Sequence, residues 1–347
     1  MKVLFDHSAP FALAHGGFQT QIQQSKAGLE RLGLEVEYLR WWDDRQSVDL
    51  IHYFGAPSAG YLRMAQEKGI PVVVTHLFTA TCNRSPLQLE IQGLITRTLL
   101  ALPGWGMIKS QLNWRSFQMA DRMVVGLQAE QRVLQKVFAV PERKIARVAL
   151  GLHHDFLQAS KPSRKEPWLI TTGTITNRKR CVELARMAQQ AERPVLFVGK
   201  PYHRDDPYWK EFSTFIDNRF VFHREHVDSR AEMIALLQSS RGFVIYSQFE
   251  NWCLSAHEAV ACGLPVLVPD LPWSRECFGT EAAYLDAGAP GENPGKLRAF
   301  YDECPGRPAP AIKLYSWDDV ARQLLACYQS LLPPGNDTPG APEAAAS

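Results

Sequence analysis

Two glutamates, Glu250 and Glu258, stand eight residues apart within the segment 243–269, FVIYSQFENWCLSAHEAVACGLPVLVP. An apolar run, Phe243–Tyr246, leads into a loop that holds Glu250. A helix is expected from about Cys253 to Ala261, and Gly263 then precedes a second apolar run, Pro265–Val268. Glu250 would sit just before that helix, and Glu258 about one and a half turns inside it. The backbone N–H groups of Trp252–Ser255 suit a diphosphate, because a helix start offers unpaired donors and a favourable dipole. One carboxylate can then accept hydrogen bonds from sugar hydroxyls and the other from ribose hydroxyls.

Cations lie at a comparable position earlier in the chain. Gly173 begins GTITNRKR, directly after the apolar run Trp168–Thr172. Three cations, Arg178, Lys179 and Arg180, at a helix start oppose the helix dipole, and that cost favours an anionic ligand over a solvated turn. Gly16–Gly17 follows the first apolar run and lets backbone approach a ligand closely, although such a pair is by itself more often a turn. His76 closes the run PVVVTH at what would be a strand's carboxyl end.

The elements that must position these residues follow one grammar. Apolar runs at Lys2–Phe5, Leu34–Tyr38, Val48–Tyr53, Pro71–His76, Arg122–Val125 and Ile145–Ala149 alternate with helical spacing such as Phe18, Ile22, Leu29 and Leu32. The pattern restarts after the polar, proline-containing stretch Ser160–Pro167. It continues through Trp168–Thr172, Pro194–Val198, Phe220–Phe222, Phe243–Tyr246 and Pro265–Val268. Such alternation predicts an α/β fold of two Rossmann-like, doubly wound domains, each on a mostly parallel sheet, facing across a cleft. Ligands of open α/β sheets bind beyond the carboxyl ends of the strands, so that cleft is the expected site. The divisions expected are 1–158, 166–315, a terminal helix over 316–333, and a small-residue, Pro-rich disordered tail over 334–347.

Composition narrows the classes. The chain has 347 residues, long enough for two domains, with 46% hydrophobic and 21% charged residues as in an ordinary soluble enzyme. Lys plus Arg (38) nearly balances Asp plus Glu (36), which argues against nucleic-acid binding. The seven cysteines are scattered without a CxxC pair, so neither a disulfide framework nor a zinc site is expected, and a reducing cytoplasmic setting fits. Asp6 and His7 interrupt the first apolar run, so a signal peptide is not expected. GxGxxG is absent after that run and GxSxG is absent altogether, so dinucleotide oxidoreductase and serine-hydrolase chemistry have no support.

With these residues in place, the segment around Glu250 resembles the E-x7-E region of retaining GT-B glycosyltransferases, family 4, also called group 1. That pattern reads Glu-Gly-Phe-Gly-Leu, then Glu-Ala; this chain has Glu250, Asn251, Trp252, Cys253, Leu254 and then Glu258, Ala259. The resemblance implies that Glu250 contacts the donor sugar and Glu258 the ribose of a nucleoside-diphosphate sugar. Asn251 and Cys253 replace both glycines, and their side chains are expected to narrow the sugar pocket. Lys179 matches the family's diphosphate lysine, while Thr174 stands where an arginine is usual, leaving Arg178 or Arg180 to substitute. The resemblance also places Gly16, Gly17 and Gly173 at donor-side backbone, His76 near the sugar and acceptor, and Glu276 in a loop with Pro272 and Trp273 in place of two glycines. Trp273 would stack on a sugar or pack between elements.

What the resemblance implies for activity is a hexosyltransferase-like transfer to an acceptor hydroxyl, with retention, in glycan or glycolipid biosynthesis. No metal or other cofactor is implied. An NDP-sugar epimerase and a non-catalytic sugar-nucleotide binder are the competing readings. His153-His154 reads as linker structure, and His223-x-x-His226 lacks companion metal ligands. Finally, Gly93–Ala120 mixes Leu, Ile and Trp with Arg97, Lys109 and Arg115 and contains no acid. That composition fits peripheral contact with the inner face of a membrane beside a lipid-linked acceptor, and it equally fits buried helices with a basic rim.

Overall fold

The computed structural model describes residues 1–8, 11, 16–78, 80–102, 115–159, 163 and 166–332. The tail 334–347 and the middle of the 93–120 segment lie outside the described residues. Two six-stranded sheets carry the fold, each wholly parallel in its pairings. The first comprises β1 (Lys2–His7), β2 (Glu35–Tyr38), β3 (Leu50–Phe54), β4 (Val72–Thr75), β5 (Arg122–Val125) and β6 (Ile145–Arg147), in the order β2-β1-β3-β4-β5-β6. The second comprises β7 (Leu169–Thr172), β8 (Val195–Val198), β9 (Val221–Arg224), β10 (Phe243–Val244), β11 (Val266–Pro269) and β12 (Ala283–Leu285), in the order β12-β11-β10-β7-β8-β9.

Both orders reverse beside a sheet's first strand, the topology that opens a crevice at the strands' carboxyl ends. Parallel strands need crossovers, and the helices supply them. On the first sheet these are α1 (Gly17–Arg31), α2 (Ala59–Glu67), α3 (Pro86–Ala101), α4 (Ser116–Met119) and α5 (Gln128–Lys136). A short α6 (His154–Leu157) follows. The second sheet carries α7 (Cys181–Ala191), α8 (Pro207–Ser213), α9 (Arg230–Ser239), α10 (Leu254–Ala261), α11 (Pro272–Phe278) and α12 (Asn293–Glu303). The last described helix, α13 (Trp317–Gln329), returns to the first sheet.

That return is built into α1 and α13. Trp317, Val320, Ala321 and Leu324 of α13 share a core with Val3, Phe5, Ile22 and Leu29. A Cβ at Gly28 would lie 2.9 Å from the Ala321 Cβ and 3.0 Å from the Trp317 carbonyl, so only glycine permits this approach. His52, fully buried on β3, spans the same junction: its Nδ1 lies 2.6 Å from the Tyr328 hydroxyl and its Nε2 2.8 Å from Thr75 Oγ1. Burial pushes that imidazole down to about 3, so it is a neutral structural bridge.

Three local expectations differ from the structure. The strand expected over Phe243–Tyr246 pairs as a strand only at Phe243–Val244, because the chain turns toward the Glu250 loop after its last sheet hydrogen bond at Ile245. The edge strand Ala283–Leu285 has too short an apolar run to stand out. Helix α10 begins at Leu254, because Cys253 adopts φ 60° and ψ 66°, the left-handed conformation, and caps the helix from outside it.

Candidate functional site

The candidate site lies at the carboxyl ends of β7 and β10, facing the start of α1. Gly173 follows β7 with φ 142°, and a Cβ there would stand 3.4 Å from Lys179 Cε. The missing side chain leaves room for Lys179 to fold back over the strand end. Its Nζ lies 2.6 Å from Glu250 Oε1, and Arg178 Nη1 lies 3.1 Å from the same oxygen. These are close ion pairs whose angles miss hydrogen-bond geometry. Arg178 also donates to the Phe249 carbonyl at 2.8 Å, and Gln248 N donates to the Arg178 carbonyl at 2.8 Å, fastening the two loops together.

Burial pushes the Glu250 carboxyl up, but the charges of Lys179 and Arg178 outweigh it and hold the group below the usual carboxylate range. Glu258, on the second turn of α10, experiences the opposite balance. Its surroundings push it up to about 7, with only Lys179 pulling the other way. Lys179 therefore serves two carboxylates in unlike states: one ionised, the other poised near neutrality. Leu254 and Ser255 present first-turn N–H groups with no acceptor among the described residues. Across from them, a Cβ on Gly17 would stand 3.8 Å from Leu254 Cδ1, so the Gly16–Gly17 turn and the start of α10 face each other directly.

The structure thus brings together Glu250, Lys179, Arg178, Gly173, Glu258 and Leu254, with Gly16 and Gly17 opposite. Arg180 is not part of this group. It takes φ 51° and lays its guanidinium 5.1 Å from the Tyr246 ring centre, over a separate cleft of about 320 Å³ beside α7. Its left-handed backbone turns the side chain outward just before α7, so Arg178 alone supports Lys179.

The side chains of Asn251 and Cys253, expected to narrow the sugar pocket, have partners elsewhere. Asn251 turns toward the first sheet, where its amide nitrogen donates to Glu130 Oε1 and, at 3.3 Å, to the Phe78 carbonyl. Cys253 is buried, 4% exposed, in the same apolar cluster as Phe249 and Ala256. The Trp252 side chain stacks on His257 at 5.1 Å and approaches Gly126 of the first half. Trp273 is fully buried, which settles its role as packing.

Glu130 is a site residue with no sequence signal, because nothing local marks an acid at the third position of α5. It is 2% exposed, accepts from Gly126 N at 2.8 Å and Leu127 N at 3.0 Å, and receives Asn251. Burial pushes it up to about 7 against those donors. His76, Thr75, Gln21, Gly126, Glu130 and Asn251 line one small cavity where the halves meet. Burial pushes His76 down to about 4, so it is neutral at physiological pH. Its ring packs on Phe78 and Phe117.

The raised Glu130 has a consequence for pH dependence. Between the ordinary carboxylate value and about 7 the folded state holds a proton that the unfolded chain releases, so this group's contribution falls as pH rises through that window. Glu130→Gln is expected to remove that slope. The variant's stability relative to the parent should improve by about 3 kcal/mol between pH 4.5 and 7.5, read from urea unfolding at each pH.

Two further contacts close the halves on each other. Asn83 Nδ2 donates to the Gln248 carbonyl at 2.8 Å. Glu276, on α11, accepts from Gln128 N at 2.5 Å and Ala129 N at 3.2 Å, so a carboxylate of the second half caps α5 of the first. Phe78 and Leu127 also share one apolar cluster with Phe249 and Cys253.

Of the histidines considered as metal ligands, His223 bonds the Gly199 carbonyl at 2.9 Å and His226 pairs with Asp228. His153, His154 and Asp155 do gather their ligand atoms. Arg230 also lies 3.0 Å from Asp155, placing a positive charge where a cation would sit, and the cluster acts as the cap that ties α6 to α9.

Residues 166–295 match the family model described as Glycosyl transferases group 1. No curated protein matches the chain in sequence. Among solved structures, a sucrose-phosphate synthase from Thermosynechococcus elongatus shares 14% identity at a TM-score of 0.69, covering 95% of this chain and 99% of that one. HepE of Anabaena, solved in complex with UDP-glucose, shares 15% identity at a TM-score of 0.64, covering 95% of this chain and 100% of that one. The lipopolysaccharide outer core galactosyltransferase WaaB, in its apo form, shares 11% identity at 0.62, covering 94% and 100%. Residues 166–295 are therefore similar to a glycosyl transferases group 1 domain, and the chain as a whole has the GT-B fold of these structures.

Proposed function

We propose that this protein transfers a hexosyl group from a nucleoside-diphosphate sugar to an acceptor hydroxyl with retention of anomeric configuration. The observation that carries this reading is Lys179, folded over Gly173 after β7, 2.6 Å from Glu250 and near enough for its charge to act on Glu258, beside an α10 start that faces Gly17. In this reading the diphosphate lies over the start of α10, where Lys179, Arg178 and the N–H groups of Leu254 and Ser255 offset the charge that grows as the glycosidic bond breaks. Glu250 orients the sugar hydroxyls and Glu258 the ribose. Side-chain cations supply the countercharge, so the mechanism calls for no metal. Neutral His76, at the end of β4, faces the acceptor side. Among the described residues no carboxylate is assigned as a nucleophile, and the reading is front-side displacement, with the departing diphosphate taking the acceptor's proton. That HepE is solved with UDP-glucose supports a nucleotide-sugar donor. The acceptor is read as a glycan or lipid-linked hydroxyl, reached from the inner face of a membrane.

Thermal shift against UDP, GDP, ADP and their sugars tests the donor site. One nucleotide should stabilise the protein by about 2.7 kcal/mol at a hundred times Kd. Glu258→Ala should lose that shift. If no nucleotide moves the parent protein, the donor site is wrong.

A further inference from the structure

Helix α3 is apolar on two sides, and among the described residues only one of them is packed against the fold. Leu89, Gly93 and Thr96 face inward; a Cβ at Gly93 would fall 2.1 Å from the Lys136 carbonyl, so α3 lies hard against α5. The opposite face should be polar in a surface helix. Instead it carries Leu87 (65% exposed), Ile91 (53%), Leu94 (63%), Ile95 (54%) and, just past the helix end, Leu102 (45%). Their spacing puts the four helical residues, Leu87, Ile91, Leu94 and Ile95, within one stripe on the side away from the core.

The sequence along and after this helix is net basic. The helix's single acid, Glu90, is neutralised by an ion pair with Lys136. From residue 91 to 120 the chain has no acid and three cations, Arg97, Lys109 and Arg115. Among the described residues, Arg84 and Arg97 are exposed at the helix. The stripe offers on the order of 500 Å², the size of a functional patch but below the roughly 800 Å² that each partner buries in a stable protein dimer. At sixteen residues α3 is about 24 Å long, too short to cross a bilayer. No described helix is long and apolar enough to do so.

We propose that the outer face of α3 docks on an anionic membrane surface, with Leu87, Ile91, Leu94 and Ile95 entering the headgroup boundary and Arg84 and Arg97 meeting lipid phosphates. The surface sits where an acceptor borne by a lipid would be delivered. α3 starts three residues after Asn83, whose side chain holds the Gln248 carbonyl, two residues before Glu250. The proposal deepens the acceptor reading above, but its test does not need turnover.

The purified chain is floated with vesicles of phosphatidylcholine containing 30% phosphatidylglycerol, with vesicles of phosphatidylcholine alone, and at 0.05 and 0.5 M salt. The expected result is at least tenfold stronger partition onto the anionic vesicles, weakened by salt. The Leu94→Gln/Ile95→Gln variant should lose it at least tenfold while keeping the parent's melting temperature and nucleotide shift. Leu87→Gln/Ile91→Gln serves as an independent pair on the same stripe. Failure of the parent to float with anionic vesicles overturns the proposal, as does unchanged flotation of both variants. Concentration-dependent self-association that both variants abolish, without flotation, assigns the stripe to a second copy instead. Loss of the nucleotide shift in the parent would count against the donor site and leave the flotation result standing on its own.

Discussion

Lys179→Ala is expected to lower the transfer rate by about a hundred- to a thousandfold, because it removes a preorganised cation from a leaving group whose charge is growing. The same substitution should also destabilise the protein without ligand. Glu250 is nearly buried, and Lys179 is its closest countercharge at 2.6 Å. Breaking a buried pair by removing one partner usually costs about 3–5 kcal/mol. Arg178 stays 3.1 Å away, so the loss should fall near about 2–3 kcal/mol.

The sign of its pH dependence follows from Glu250. In the parent this carboxyl is held low, so it contributes stability above the ordinary carboxylate range; without Lys179 it is pushed up by burial and costs stability there. The gap between parent and variant should therefore widen as pH rises from about 4 to 7. Adding Glu250→Ala to Lys179→Ala should recover most of the stability and none of the activity. Thermal unfolding and initial rates on the three variants check this. A double variant as unstable as Lys179→Ala alone would mean the ion pair does not organise the site.

Glu276→Ala is expected to reduce kcat about a hundredfold while leaving nucleotide affinity within about twofold, since a small misplacement of reacting groups costs that much. Every donor contact proposed above except the Gly16–Gly17 turn lies in the second half, and Glu276 touches none of them. What it holds is the start of α5, through Gln128 N and Ala129 N. Without that carboxylate α5 loses a cap worth about 1 kcal/mol, and the halves lose one of the few polar ties between them. Glu276→Gln keeps one acceptor oxygen and should retain part of the rate. Nucleotide titration and steady-state rates give the split; a fall in affinity equal to the fall in kcat would place Glu276 in the donor site.

The alternation of apolar runs and helical spacing made the two-sheet architecture legible, because strand and helix periodicities are local properties of the chain. The same locality made Glu250 and Glu258 legible: one precedes a helix, the other lies a turn and a half within it, and that relation survives any tertiary arrangement. The edge strand Ala283–Leu285 escaped, since three residues carry no periodicity. Helix α3 shows the limit of composition. Leu and Ile on every side of a helix read alike whether the outer ones are covered or bare.

What the sequence by itself determined is therefore the element order, the two carboxylates flanking the start of α10 and the cations before α7. Only the tertiary structure decided where side chains point between the halves. Asn251 reaches Glu130 across 121 positions of chain, and Glu276 reaches Gln128 across 148. No local pattern ties such pairs, because they meet only when two separately folded sheets close on one another. Arg178, Lys179 and Arg180 look equivalent in a row, yet the left-handed backbone at Arg180 sends one of the three to Tyr246. Backbone dihedrals and domain approach, both set by packing, separate residues that chemistry alone would group.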